Sequence, residues 1–207
     1  LIAQAALDDR AASQMLVVDR SAGEFADREF REIGKFLGAG DVLVLNNTRV
    51  FPARLFGRTA TGANVEIFLV RDIGDGVWET LARPARRLAS GKQIIFDDGS
   101  TAEVVDKQPD GRVLVRFDGD VLEVAERIGR TPLPPYIKRD TDAIDADRAR
   151  YQTVYARERG SIAAPTAGLH FTPEVLDAVR DKGVTVAEIT LHVGYGTFRP
   201  VRVETVE

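Results

Sequence analysis

The residues best suited to chemistry in this chain are its two histidines, His170 and His192. The first lies in the block AAPTAGLHFT (163–172) and the second in TLHVGYGTFRP (190–200). Histidine gains or loses a proton near neutral pH more easily than any other side chain. The surrounding glycines, threonines and prolines favour shaped loops over packed surface. The two blocks therefore predict one polar site assembled from two loops.

The first block comes directly before a predicted helix, where free backbone N–H groups favour a polar or negative ligand group. Thr166 offers a hydroxyl, Gly168 allows unusual backbone angles, and His170 can transfer a proton. The alternative is that Leu169, His170 and Phe171 simply pack, with the imidazole hydrogen-bonded in the core.

His192 ends a β-type run, and functional groups of α/β sheets tend to emerge at the carboxyl ends of strands. Gly194 and Gly196 follow it, but the third glycine of a dinucleotide fingerprint is absent and Thr197 does not open a helix. An NAD-binding or Rossmann-type methyltransferase interpretation therefore loses its main support.

A second polar run also follows a predicted strand, and its residues are Asn46, Asn47, Thr48 and Arg49. Amides and a guanidinium suit recognition of a base, a ribose or a carboxylate. A turn with a structural arginine is an equally acceptable interpretation. Tyr151 and Tyr155 are four residues apart on a predicted helix, where they either stack on a base or pack in the interior.

Composition excludes several classes of protein. The 207 residues contain no cysteine, which rules out disulfides, thiolate catalysis and Cys-type zinc sites. Two histidines 22 positions apart, with no acid in the His170 loop, make a poor ligand set, so we expect no metal. The sequence has no apolar run long enough to span a membrane and no signal-peptide pattern, and we expect a cytoplasmic protein.

The net charge of −4 hides two basic stretches. Residues 80–96 carry Arg83, Arg86, Arg87 and Lys92 and no acid, while residues 127–159 carry eight basic and five acidic residues. Such clusters can follow a phosphate backbone, although a solvated face has the same composition.

The pattern of elements predicts a mixed α/β fold: a discontinuous α/β domain (1–52 and 119–207) with an inserted small antiparallel β-barrel domain (53–118). Turn signals separate six β-type runs in the insert, at 53–59, 64–71, 77–83, 93–96, 102–106 and 112–118. Outside the insert we expect buried strands at 15–19 and 41–45, helices near 30–37, at 121–128 and at 145–157, a helix from Thr172-Pro173-Glu174 to Lys182, and a strand at 184–193.

Five blocks together resemble the S-adenosylmethionine:tRNA ribosyltransferase-isomerase family of queuosine synthesis. They are GDVLVLNNTRVFPARLFG (40–57), PLPPYI (132–137), YQTVY (151–155) and the two histidine blocks, in the family's order. Tyr195 stands where the family usually has a smaller residue. Family members also continue beyond the point corresponding to Glu207, through further motifs expected to complete the α/β domain, and the opening segment looks clipped.

The resemblance implies transfer of the ribosyl part of S-adenosylmethionine to 7-aminomethyl-7-deazaguanine in the anticodon of a tRNA with a GUN-type anticodon. Adenine and methionine leave, and the sugar becomes the epoxycyclopentanediol of epoxyqueuosine. S-adenosylmethionine is then a substrate, no true cofactor is needed, and we expect a monomer.

The resemblance also implies roles for residues of this chain. His170 and His192, with Thr166, would transfer protons or orient the ribose. Substrate would be held by a larger set: Asn46, Asn47, Thr48, Arg49, Tyr155, Gly168, Gly194, Gly196 and Thr197. The candidates for tRNA phosphates are Arg83, Arg86, Arg87, Lys138 and Arg139. The alternatives are a non-catalytic tRNA- or RNA-binding module, an inactive fragment of the enzyme, and a nucleoside transferase with another acceptor.

Overall fold

The structure is a computed structural model that describes residues 3–134, 136–138 and 144–198. It comprises two compact units, Leu1–Val50 with Pro135–Val193 and Phe51–Pro134 with Gly194–Glu207. None of the helices in these described ranges is long and apolar enough to cross a membrane.

The strands of the described chain are β1 (Gln14–Asp19), β2 (Glu24–Glu29), β3 (Val42–Asn46), β4 (Thr48–Val50), β5 (Arg54–Thr59), β6 (Asn64–Gly74), β7 (Val77–Arg83), β8 (Gln93–Phe96), β9 (Thr101–Lys107), β10 (Val113–Phe117), β11 (Glu158–Ser161) and β12 (Thr185–Ile189). The α-helices are α1 (Val121–Ile128), α2 (Ile144–Arg150) and α3 (Pro173–Asp181). Short 3-10 helices span Arg10–Ala12, Phe30–Phe36, Ala85–Arg87, Thr166–His170 and Tyr195–Phe198.

The predicted antiparallel barrel is confirmed. Six strands close in the order β10-β7-β6-β5-β8-β9. Alternate residues point inward, so that Leu55, Ile67 and Val104 are fully buried in its interior. Predicted turn glycines such as Gly76 and Gly99 adopt positive φ, which residues with a Cβ rarely tolerate.

Helix α1 and the residue after it pack closely on the barrel unit. The Asp120 carboxylate caps the helix by accepting from the N–H groups of Leu122 and Glu123. At Gly129, which ends the helix, a Cβ would lie 2.1 Å from the Pro52 carbonyl oxygen and 2.4 Å from that of Ala125. Only glycine therefore fits where the chain leaves α1.

The other unit contains two parallel strand pairs, β3 with β12 and β4 with β11. Its hydrophobic cluster includes Phe30, Leu45, Phe171 and Leu176, so that β3, α3 and the Phe30–Phe36 helix share one core. Helix α3 begins as predicted, with Thr172 Oγ1 accepting from the Val175 N–H at 3.3 Å.

Two predicted buried strands are largely exposed. Strand β1 pairs with β2 in a two-stranded antiparallel hairpin, and Leu16 and Val18 are 62% and 52% exposed. In β3 only one face is covered, since Val42 and Val44 are exposed and Leu45 is buried. An apolar run shows that a strand forms, but the number of layers covering it depends on the rest of the fold.

Three predicted elements have different bounds or geometry. The helix expected at 145–157 ends at Arg150, so Tyr151 and Tyr155 do not share a helix face. The helix expected near 30–37 is a 3-10 helix, and the strand expected at 184–193 ends at Ile189. His192 therefore lies in irregular chain beyond the strand end.

Replacing Gly129 with Ala is predicted to destabilise the protein by about 1–3 kcal/mol or more, because backbone oxygens cannot move away as a flexible side chain can. Urea unfolding followed by Trp78 fluorescence measures the effect.

The matched control is Gly38→Ala, since a Cβ at Gly38 meets nothing within 4 Å. That variant is expected to remain within about 0.5 kcal/mol of the unaltered chain. Equal stability of both variants would show that the close approach at Gly129 has no energetic consequence.

Candidate active site

The carboxyl ends of β3 and β12 lie side by side, and there the asparagine run meets the second histidine block. Ile189 pairs with Asn46 in the parallel ladder, and the Asn47 N–H donates to the Ile189 carbonyl at 2.9 Å. The Asn46 amide continues this pairing: Oδ1 accepts from the Leu191 N–H at 3.0 Å, and Nδ2 donates to the Leu191 carbonyl at 2.9 Å. A side-chain amide thus replaces the backbone as the partner of Leu191.

Asn47 is buried and fully engaged within the protein. Its Nδ2 donates to Glu188 Oε2 at 3.1 Å, and its Oδ1 accepts from Thr190 Oγ1 at 2.8 Å. Its carbonyl accepts from the N–H groups of Arg157 (2.8 Å) and Glu158 (3.2 Å). The buried Asn47 therefore joins β3, β12 and the chain entering β11, and a buried amide is costly to leave unsatisfied.

His192 is held by one ring nitrogen. Its Nδ1 lies 2.8 Å from Oγ1 of Thr48, a fully buried residue, and the imidazole lies against Gly160. A Cβ at Gly160 would be 2.7 Å from both Cε1 and Nε2 of the ring, so glycine is required beneath it. Within the described ranges Nε2 has no hydrogen-bond partner, which leaves it available for proton exchange.

A buried serine fixes the chain that follows His192. Ser161 Oγ accepts from the Val193 N–H at 2.9 Å and donates to the Ala163 carbonyl at 2.8 Å. The Ile162 N–H donates to the Val193 carbonyl at 3.1 Å. Ser161 therefore connects the start of the first histidine block to the residue that follows His192 in the second.

The first histidine block forms a 3-10 turn over Thr166–His170 that leads into α3. Gly168 is buried, and a Cβ there would be 2.2 Å from the Tyr155 hydroxyl and 2.9 Å from Thr153 Cγ2. Gly168 does not adopt a positive φ, so the unusual backbone angles expected of it are not used. Glycine is needed there for a steric reason, because the turn passes so close to Tyr155 that no side chain fits.

His170 is half-buried, with its ring centroid 5.3 Å from that of Phe30. Neither ring nitrogen of His170 forms a hydrogen bond to a residue of the described chain. The structure therefore does not support the alternative of a hydrogen-bonded core histidine. Nor do the rings of His170 and His192 contact each other in the described part. The structure places both histidines in one unit, on separate supports.

Tyr155 packs against the first histidine block. Its hydroxyl abuts Gly168, and its ring lies 6.3 Å from that of Phe171. Burial, with a smaller contribution from the negative charge of Glu188, raises the pKa of Tyr155 to about 12. The phenol is therefore a neutral hydrogen-bond donor at physiological pH. Glu188 in turn accepts from Asn47 and is ion-paired with Arg157.

Arg49, Arg148, Gln152 and Thr153 contribute to the wall of a cavity of about 480 Å³. The Gln152 amide pairs with the backbone of Val50, donating to its carbonyl at 2.6 Å and accepting from its N–H at 3.1 Å. Thr153 Oγ1 is buried and has no partner in the described residues. The predicted ligand-binding residue Arg49 thus lies in a polar concavity.

Arg10 is a site-supporting residue that the sequence did not reveal. Its guanidinium donates to the carbonyls of Gln152 (2.7 Å), Leu169 (3.2 Å) and Ala149 (3.0 Å). It therefore connects the end of α2 to the turn that carries His170. Ser161, Glu188 and Arg157 were also missed, because isolated residues of common type carry no spacing signal.

The remaining predicted residues lie elsewhere. Gly194, Gly196 and Thr197 belong to the unit that contains the barrel, where the Thr197 N–H donates to the Gly194 carbonyl at 3.2 Å. Of the tRNA candidates, Arg83, Arg86 and Arg87 are exposed at and after the end of β7, and Lys138 is exposed in the other unit. Arg139 lies outside the described residues. The described part of the chain holds no group of three residues able to bind a metal ion.

Thr48→Val is predicted to release His192. The valine fills the same buried space but offers no hydroxyl, so the imidazole loses the bond that fixes its tautomer and orientation. The 15N chemical shifts of the two ring nitrogens are expected to move towards those of free histidine. Thr48→Ser, which keeps the hydroxyl, is the control, and identical spectra for the valine variant and the unaltered chain would contradict the assignment.

The raised pKa of Tyr155 predicts a loss of stability in alkali. The pKa of this phenol is the ordinary 10.0 in the unfolded chain and about 12 in the folded chain. Because the folded state then binds more protons than the unfolded state, stability is intact below pH 10 and falls as the pH rises towards 12. The free energy of unfolding of the unaltered chain should fall relative to that of Tyr155→Phe over this range. Parallel curves would contradict the prediction.

The whole chain, residues 1–207, matches the protein family described as Queuosine biosynthesis protein. Among curated proteins, it is similar to three named S-adenosylmethionine:tRNA ribosyltransferase-isomerase. It is 52% identical to that of Solibacter usitatus (strain Ellin6076), 51% to that of Desulfitobacterium hafniense (strain DSM 10664 / DCB-2) and 48% to that of Halothermothrix orenii (strain H 168 / OCM 544 / DSM 9562). The alignments cover 100% of this chain and 64%, 60% and 61% of those proteins.

Among solved structures, a crystal structure of S-adenosylmethionine tRNA ribosyltransferase from Thermotoga maritima matches 95% of this chain and 56% of that chain. The sequence identity is 31% and the TM-score 0.36. The chain thus spans less than two thirds of the length of these relatives. With a family match that extends from its first residue to its last, the chain belongs to the queuosine biosynthesis protein family.

Proposed function

We propose that the protein acts as an S-adenosylmethionine:tRNA ribosyltransferase-isomerase. It transfers the ribosyl part of S-adenosylmethionine to the aminomethyl group of a 7-deazaguanine in a tRNA anticodon of the GUN type, rearranges the sugar to the epoxycyclopentanediol, and releases adenine and methionine. The observation that carries the proposal is the polar constellation at the ends of β3 and β12, in a chain about half identical to proteins of that name.

The reaction needs a base for the acidic proton beside the sulfonium and an acid for the departing adenine. His192 suits proton exchange because Thr48 holds Nδ1 and leaves Nε2 without a partner in the described chain. His170 suits it because its ring is half-buried beside Phe30 and makes no hydrogen bond there. When one imidazole takes a proton and the other gives one, the net protonation of the protein does not change.

Substrate contacts are assigned to groups with unused hydrogen-bonding capacity. Tyr155 and Thr166 offer hydroxyls, and Arg49 offers a guanidinium for a carboxylate or a nucleoside oxygen. Asn46 and Asn47 contribute by holding the strand ends, since their amides bond within the protein. Substrate-binding roles for the remaining candidates, Thr48, Gly168, Gly194, Gly196 and Thr197, rest on the resemblance of their blocks to the family.

S-adenosylmethionine is consumed as the ribosyl donor, so no resident cofactor is required. The tRNA contacts are assigned to the exposed basic candidates of the two stretches, Arg83, Arg86, Arg87, Lys138 and Arg139. We expect a cytoplasmic monomer.

The experiment that tests the function mixes the protein with S-adenosylmethionine and tRNA that carries the aminomethyl base. Adenine is measured by chromatography, and the tRNA nucleosides by mass spectrometry. The proposal expects adenine release that depends on the modified base, together with a nucleoside heavier by the transferred sugar. RNA binding without adenine release would favour a non-catalytic RNA-binding module, and release with tRNA lacking the modified base would favour a different acceptor.

His170→Gln and His192→Gln are each predicted to lower adenine release by about 100-fold or more, since general acid–base groups typically contribute 10²–10⁴ to a rate. Glutamine keeps a polar side chain of similar length, so circular dichroism and the unfolding midpoint should stay close to those of the unaltered protein. Full activity in both variants would refute the assignment of proton transfer to these rings.

A further inference from the structure

The outer surface of the barrel carries a concavity of about 380 Å³, separate from the histidine blocks, that contains the tRNA candidate Arg83. Its lining contains three arginines (Arg58, Arg83 and Arg130) and the exposed ring of Phe56. We call these four residues the barrel arginine pocket. They are separated in sequence by up to 74 positions, so only the barrel brings them together.

Strand register explains why they share one surface. Phe56 and Arg58 are two residues apart on β5 and therefore point to the same face, opposite to the buried Leu55. Glu66 on β6 pairs with Phe56 on one side and with Arg83 of β7 on the other. Three neighbouring strands thus place these side chains in adjacent positions on the outer face.

The positive charge of the pocket exceeds the negative charge of its lining. Glu66 lies among them, but its carboxylate is paired with Arg54 at 2.8 Å. In the described part of the chain, Arg58, Arg83 and Arg130 form no ion pair, and Asp97 is the other acid in the lining. The pocket therefore presents an excess of positive charge that the protein itself does not neutralise.

Arg130 is held in a fixed position over the aromatic ring. Its N–H donates to the Arg54 carbonyl at 2.8 Å and its carbonyl accepts from the Arg54 N–H at 3.2 Å, so its backbone is joined to β5. The guanidinium carbon lies 4.6 Å from the centroid of the Phe56 ring, a cation–π arrangement. The preceding residue, Gly129, lies so close to the Pro52 carbonyl oxygen that only glycine fits there, which fixes the turn before Arg130.

We propose that the barrel arginine pocket binds a loop of the substrate RNA, with phosphates on Arg58 and Arg83 and a base on the Phe56–Arg130 stack. Guanidinium groups match phosphate oxygens with two parallel hydrogen bonds, and aromatic or guanidinium planes stack with unpaired bases. The combination fits single-stranded RNA better than an acidic peptide, which has no ring system for the stack. This inference rests on the proposed function, which supplies RNA as the partner.

The test measures binding without turnover. The unaltered chain is titrated into a fluorescently labelled RNA hairpin with the anticodon-loop sequence, and anisotropy gives the dissociation constant at several salt concentrations. Arg58→Gln with Arg83→Gln should weaken binding at least tenfold at low salt and reduce the slope of log affinity against log salt by about 0.7 per lost phosphate contact. Phe56→Leu should weaken binding by about fivefold or more with an unchanged slope, because stacking is uncharged.

The matched control is Arg116→Gln, an exposed arginine on β10 outside the pocket. Three results would overturn the proposal: an unchanged RNA affinity in the pocket variants, an equal loss of affinity in the control variant, or no RNA binding by the unaltered chain. So would displacement of the RNA by an equal concentration of polyglutamate, which would assign the pocket to an acidic partner. Adenine release is assayed separately, so failure of the pocket and failure of the proposed function give different results.

Discussion

The parallel pairing of β3 with β12, extended beyond the strand ends by the side chains of Asn46 and Asn47, is the constraint on which the candidate site depends. Backbone pairing stops at Ile189, yet Leu191 keeps a donor and an acceptor because the Asn46 amide supplies both. Without those bonds the chain carrying His192 would lose one of its anchors, beside those from Thr48 and Ser161. The site is therefore built by the same hydrogen bonds that finish the sheet.

The two histidines have supports of different kinds. His192 is placed by polar contacts, with a buried threonine hydroxyl on one nitrogen and the bare backbone of Gly160 beneath the ring. His170 is placed by packing on Phe30, at the edge of the hydrophobic cluster. Tyr155 packs on the His170 side, because its hydroxyl abuts Gly168 and its ring lies 6.3 Å from that of Phe171. A change at Gly160 or Phe30 should therefore displace a histidine ring without removing a proposed substrate contact.

Local signals in the sequence predicted the elements whose causes are local. Asp-Gly pairs, whose glycines adopt positive φ in the structure, predicted hairpin turns of the barrel. Thr172 with Pro173 predicted the start of α3. The failures have long-range causes. Helix α2 ends at Arg150, because Gln152 in the next segment forms a hydrogen bond to Val50, which is 102 positions away in the sequence.

The candidate site shows the same difference between features with local causes and features with long-range causes. The histidine blocks and the asparagine run were found by composition, and the structure brings Asn46, Thr48 and His192 together. Asn46 Oδ1 accepts locally from the Thr48 N–H at 3.1 Å, but the other partners of the two asparagine amides are more than 140 residues away, so those bonds could not be predicted. Arg10 was missed for a related reason, because it acts by bonding three carbonyls that no spacing pattern connects to it.

The central claim is that the strand-end loops of His192 and of His170 bind a single sulfonium nucleoside. Because the chain contains only two histidines, both imidazole signals can be followed individually in 1H–15N spectra while S-adenosylmethionine is added. The account predicts that both signals shift along one saturation curve with a common dissociation constant. Movement of one signal alone, or of neither while S-adenosylmethionine binds elsewhere, would contradict it.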